Sequence, residues 1–152
     1  MQRAAHPKAT IRANPRRLKA ILESKLESVN EAATLIVGLA KNAHFDEARV
    51  PEIELAVREA VANAVLHGNG CGSHKKVFLT GELRADNLVI RVQDEGRGFD
   101  PAVRADPRRP EHLLRESGRG LFLIETYMDD VVLRRDTRGG MELIMTKRCS
   151  RR

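Results

Sequence analysis

The sequence predicts a two-layer α+β sandwich, a mostly antiparallel sheet with helices on one face. Two observations predict it. Runs with alternating apolar residues come in neighbouring pairs joined by short polar turns, the pattern of antiparallel hairpins. Three further stretches repeat apolar residues at helical spacing, giving the order β-α-α-β-β-loop-α-β-β without internal repeat. The chain of 152 residues suits one domain, and with no Trp and 3% aromatics its core is aliphatic.

Each element has its own signal. Residues 1–17 are basic and polar, with Pro7 and Pro15, and read as a poorly ordered tail ahead of a domain spanning 18–148. Residues 149–152 form a second short tail. Leu18 to Ser24 reads as a first strand. Ser28 and Glu31 have capping-box spacing, with Ser28 as N-cap and Glu31 at the third helical position, so a helix is expected to run to about Ala43. Phe45 to Arg49 is a connector. Pro51 suits the first turn of a second helix reaching His67, which Gly68, Gly70 and Gly72 stop. Lys76 to Arg84 places Val77, Leu79, Gly81 and Leu83 on one side of a half-buried strand. A turn at Asp86-Asn87 leads into a partner strand, Leu88 to Gln93. Asp94 to Asp100 reads DEGRGFD. Pro101 to Ser117 shows no element, and a loop of that length inside a domain is functional or disordered; a lid is expected at about 99–117. Gly118-Arg119-Gly120 opens a third helix. Asp130 to Arg135 and Met141 to Lys147 are two last strands around the turn Asp136 to Gly140.

Composition excludes several classes. The net charge of +6 fits a nucleic-acid or anionic partner, but much of the excess is terminal, at Arg3, Lys8, Arg12, Arg16, Arg17, Lys147, Arg148, Arg151 and Arg152. Solvated basic tails outrank direct nucleic-acid binding, and the scarcity of aromatics argues against base stacking. Cys71 and Cys149 have no metal or disulfide-framework spacing. No apolar run approaches a membrane span and no secretory leader is visible, so a cytoplasmic location is expected.

Three constellations carry chemistry. Glu59, Asn63 and His67 recur at i, i+4 on one stripe of the second helix. A carboxylate can position or deprotonate a hydroxyl, and an amide oxygen is a hard ligand suited to Mg²⁺; the same stripe is also what an ordinary amphipathic helix shows to water. Asp94 with Gly96 and Gly98 puts a carboxylate acceptor beside backbone that a ligand can approach closely. That acceptor suits an exocyclic amine such as adenine's. Alone, the pattern is equally a strand-closing turn. Ser117-Gly118-Arg119-Gly120 at a helix start offers free N–H groups, a helix dipole and a cation to an anion. In this order the three supply the parts of an ATP site. No G-x-x-x-x-G-K-[ST] is present, which excludes a P-loop.

The runs EAVANAVLHG at 59–68, DEGRGFD at 94–100 and GRGLFLI at 118–124 resemble the asparagine box and the two glycine boxes of the GHKL ATPase superfamily. The run ESGRGLFLIETYMDDV and the short length look most like the anti-sigma-factor serine kinases of the RsbW and SpoIIAB type. The resemblance covers about 18–147 and implies a Bergerat-type sandwich binding ATP and Mg²⁺ under a mobile lid. It implies Glu59 as catalytic base, Asn63 as Mg²⁺ ligand and His67 near the phosphates. It implies Asp94 as the adenine-recognising residue, Gly96 and Gly98 as one glycine pair, and Gly118 and Gly120, flanked by Ser117 and Leu121, as the other. Arg115 and Arg119 are the candidates to meet the γ-phosphate. Also implied are phosphorylation of a serine on an anti-anti-sigma partner with a STAS domain, sequestration of a sigma factor, and a homodimer. The alternative is a nucleotide-regulated partner-binding module with little or no kinase activity. The chain departs from the pattern at Met141, where a threonine commonly follows the last-strand glycine, and at Arg115-Glu116-Ser117, where one branch has arginine directly before the serine.

Overall fold

The computed structural model describes residues 9–43, 45–98 and 116–149. Its first element, β1 (Thr10–Asn14), pairs with β2 (Arg17–Glu23) in an antiparallel hairpin. The turn is made locally: the Asn14 side-chain oxygen accepts from the N–H groups of Arg16 and Arg17 at 2.9 and 2.8 Å, and Pro15 lies within the turn. This corrects the expectation that the chain up to residue 17 is tail. Every residue of β1 is exposed, so it shows no apolar alternation to read.

α1 (Glu27–Ala40) follows. The capping box does not form. Leu26 is the N-cap and Ser28 lies inside the first turn, buried, with its hydroxyl donating to the Glu23 carbonyl at 2.7 Å. Tying the helix to the end of β2 takes the hydroxyl that a cap would use. α2 (Val50–Asn63) carries Pro51 in its first turn, as expected. It continues to Gly68 as a single π turn, in which the Asn69 N–H reaches back to the Ala64 carbonyl at 2.8 Å.

The remaining strands are β3 (Lys76–Leu83), β4 (Asn87–Gln93), β5 (Asp130–Arg135) and β6 (Met141–Arg148), with α3 (Glu116–Tyr127) before β5. They complete a six-stranded, wholly antiparallel sheet in the order β1-β2-β3-β4-β6-β5. The predicted α+β sandwich is therefore the observed architecture. α3 begins ahead of Gly118, so Gly118 and Gly120 lie within the helix instead of opening it.

One sheet face holds the core. Leu22, Leu79, Ile90 and Met145 point inward from successive strands, against Ile36 of α1, Ile53 and Val57 of α2, and Ile124 of α3; all are fully buried. Burying each such side chain contributes about 1.5–3 kcal/mol. α1 comes close because Gly81 of β3 has no side chain: a Cβ there would stand 2.6 Å from Leu39 Cδ2 and 3.0 Å from Ile36 Cδ1. The Ala-rich face of α2 (Ala56, Ala60, Ala64) lets it nest between the other two helices.

Candidate functional site

α2 and α3 meet at a glycine. A Cβ on the buried Gly120 would stand 2.8 Å from Glu59 Oε2 and 3.0 Å from Asn63 Nδ2, so the glycine lets α3 lie against the ends of both side chains, which a larger residue would push aside. The second glycine box thus seats α3 directly on the carboxylate and amide of α2. At the other end Lys147, buried on β6, donates its Nζ to Glu52 Oε2 at 2.7 Å and to the Tyr127 carbonyl, tying the C-terminus of α3 to the start of α2. A cation there also complements the negative end of the helix dipole.

Glu59 and Asn63 are half-buried, while His67 is exposed in the π turn. Leu121 packs half-buried against the core and Arg119 is exposed. Ser117 and Gly118 lie in the first turn of α3, whose N–H groups have no intrahelical acceptor. Arg115 and the expected lid over 99–115 lie outside the described residues.

Asp94 leaves the end of β4 and is 7% exposed. Its Oδ1 accepts from the N–H groups of Gly96 at 2.9 Å and Met141 at 3.1 Å. Its Oδ2 faces Gly68, where a Cβ would come within 2.1 Å. Two more glycines close the cup: a Cβ on Gly96 would lie 2.0 Å from the Gly68 carbonyl oxygen, and one on Gly140 would lie 2.1 Å from the Asp94 carbonyl oxygen. Main chain therefore lines this carboxylate. The departure at Met141 does not alter that, because the residue contributes its main-chain N–H. Gly98 has φ +71°, in the left-handed region that favours glycine, and abuts the Gly139 carbonyl. Arg135 donates to the Arg97 carbonyl at 3.1 Å and pins the same turn to the end of β5.

Sequence reasoning misses Asn69. It is 3% exposed and joins the ends of three strands: its amide nitrogen donates to Ser24 Oγ at 3.1 Å and the Lys76 carbonyl at 2.9 Å, and its oxygen accepts from the Glu95 N–H at 2.8 Å. Glu95 returns the tie, accepting from the Lys76 N–H at 2.8 Å. The π turn is thereby fixed against Asp94. An asparagine among glycines just past a helix is the sole local hint, and it looks like a loop residue. Among the described residues no group of three or more His, Cys, Asp or Glu is placed to hold a metal.

A helix bearing carboxylate and amide, a glycine seating its neighbour on them, and a buried aspartate cupped by glycines converge at one end of the α+β sandwich. The chain belongs to the histidine kinase-like ATPase domain family, whose profile matches residues 22–147. Membership implies ATP binding. The chain is 33% identical over 132 residues to the serine-protein kinase RsbW of Listeria innocua, covering 83% of each chain. It is 31% identical to RsbW of Oceanobacillus iheyensis, covering 82% of this chain and 81% of that one. It is 32% identical to the anti-sigma F factor of Clostridium perfringens, covering 84% and 94%. No helix among the described residues is long and apolar enough to cross a membrane.

Proposed function

We propose that this chain is an ATP- and Mg²⁺-dependent protein serine kinase of the anti-sigma class, working in the cytoplasm as a homodimer. Its substrate is a serine on a STAS-domain anti-anti-sigma protein, and it sequesters a sigma factor. The observation that carries the reading is the seating of Gly120 on Glu59 and Asn63; the names of the relatives supply the substrate class.

Phosphoryl transfer is mostly positioning and charge stabilisation. Asp94 accepts from adenine's amino group, and the glycine-lined main chain admits the ring. First-turn N–H groups of α3 and Arg119 take the phosphates, with Arg115 as the lid's cation and His67 near them. Glu59 orients the serine hydroxyl and takes its proton as oxygen bonds to the γ-phosphorus. The bond to the β–γ bridging oxygen breaks and ADP leaves. Asn63 is the ligand to Mg²⁺ in this reading. A single half-buried amide oxygen beside a carboxylate fits an ion that takes most of its ligands from phosphates and water. When bound, Mg²⁺ neutralises phosphate charge.

Glu59→Gln is expected to keep ATP affinity and lose phosphoserine formation by about 10²–10⁴-fold. Labelled ATP incubated with STAS-domain proteins reads this out, and wild-type transfer by the variant removes Glu59 from the role. The anti-sigma relative's name also suits a stoichiometric binder. Nucleotide-dependent sigma binding without turnover on any STAS protein would favour that reading.

A further inference from the structure

Among the described residues one face of the sheet carries no helix, and it has a feature that the proposed nucleotide site leaves unused. Register places Arg12 of β1 opposite Lys19 of β2, Lys19 opposite Thr80 of β3, and Thr80 opposite Arg91 of β4. Three cations therefore stand in one file across four strands. Arg12 and Lys19 are both exposed and directly cross-strand, where like charges repel and destabilise the pair. Arg91 reaches Glu142 at 3.4 Å, but among the described residues no carboxylate pairs with Arg12 or Lys19. In the next file Arg17 faces Glu82 at 3.4 Å, and Arg84 approaches the same carboxylate at 3.8 Å.

Arg12, Arg17, Lys19 and Arg91 line one shallow open groove whose lining holds the single carboxylate of Glu82. Much of that cationic wall lies outside the stretch that matches the ATPase family, which begins at residue 22. The β1–β2 hairpin builds it.

We propose that this groove docks an acidic, extended segment of a protein partner. Charge complementarity selects an anion, because a carboxylate laid between Arg12 and Lys19 turns a repulsion into two ion pairs. The groove lining contains no aromatic residue, which disfavours a nucleic-acid strand needing stacking platforms. A second copy of the same groove would oppose four cations with four cations.

The test uses the full chain and a fluorescein-labelled oligoglutamate peptide, read by anisotropy over a salt series. Duplex DNA carrying the same dye is the competitor class. Wild type is expected to bind the peptide with an affinity that falls as salt rises, and Arg12→Glu/Lys19→Glu to weaken it by about tenfold or more. Arg12→Gln/Lys19→Gln should lie between. Lys41→Glu/Arg138→Glu, which makes the same charge change elsewhere, should retain most of the binding. Equal losses in both glutamate pairs would overturn the proposal, since net charge alone would then explain binding. Tighter, groove-dependent binding of DNA would overturn it in favour of a nucleic-acid face. A change in sedimentation of Arg12→Glu/Lys19→Glu without peptide would overturn it in favour of a self-interface. ATP-analogue binding, measured in parallel on every variant, separates failure here from failure of the kinase reading.

Discussion

At the scale of single residues, the glycines divide into those the fold needs and those it merely tolerates. Gly68 is needed: a methyl there would meet the Asp94 carboxylate. Gly38, exposed in the last turn of α1, is different, because a methyl added there would have nothing within 4 Å. Gly68→Ala is expected to cost about 1–3 kcal/mol through overpacking and to weaken binding of a fluorescent ATP analogue. Gly38→Ala should gain about 0.5–1 kcal/mol by removing unfolded-state freedom and leave nucleotide binding alone. Chemical denaturation and an ATP-analogue titration on both variants check the contrast. Asn69 makes the same point for a polar residue. Its three bonds each reach a different strand end, so Asn69→Ala leaves buried partners unmatched and should cost about 2–4 kcal/mol. A denaturation midpoint that stays at the wild-type value would show water replacing the amide.

At the scale of elements, legibility follows burial. β3 and β4 are plain in the sequence because their alternate residues are buried, and α2 because its apolar face is continuous. β1 is hidden because none of its residues is buried, and its arginine looks like part of a solvated tail. Ser28 misleads for the opposite reason: the motif is present, but a tertiary partner at Glu23 outcompetes the local one. Of the candidate site, the polar stripe and glycine spacings are visible in the sequence, and their contacts are not. Gly68 reads as a helix stop, whereas its demand comes from Asp94, brought close only by the sheet. The π turn is likewise invisible, since one wider turn leaves the apolar pattern nearly intact. An element so weakly buried as β1 should be dispensable for stability. Deleting residues 1–15 is expected to cost little in denaturation and to spare nucleotide binding. It uncovers the edge of β2, so light scattering at high protein concentration should report more self-association.

At the scale of the molecule, α1, α2 and α3 and one sheet face form a single core among the described residues, and the candidate site sits where α2, α3 and the end of β4 converge. Among the described residues no helix covers the opposite face, so the proposed kinase chemistry and the proposed acidic-segment docking need not compete for surface. The strand order carries a consequence for biogenesis. β6 is the last strand in sequence yet lies inside the sheet, flanked by β4 and β5. It supplies Lys147, which locks α3 to α2, and Met141, whose N–H holds Asp94. During translation at about 5–20 residues per second, β4 therefore waits with an open edge until β6 clears the ribosome. The chain cannot assemble the cup around Asp94 piecemeal. A nascent product, or one clipped before β6, would lack the Met141 N–H on Asp94 and the Lys147 tie between the helices, and would present an unpaired strand to chaperones and proteases.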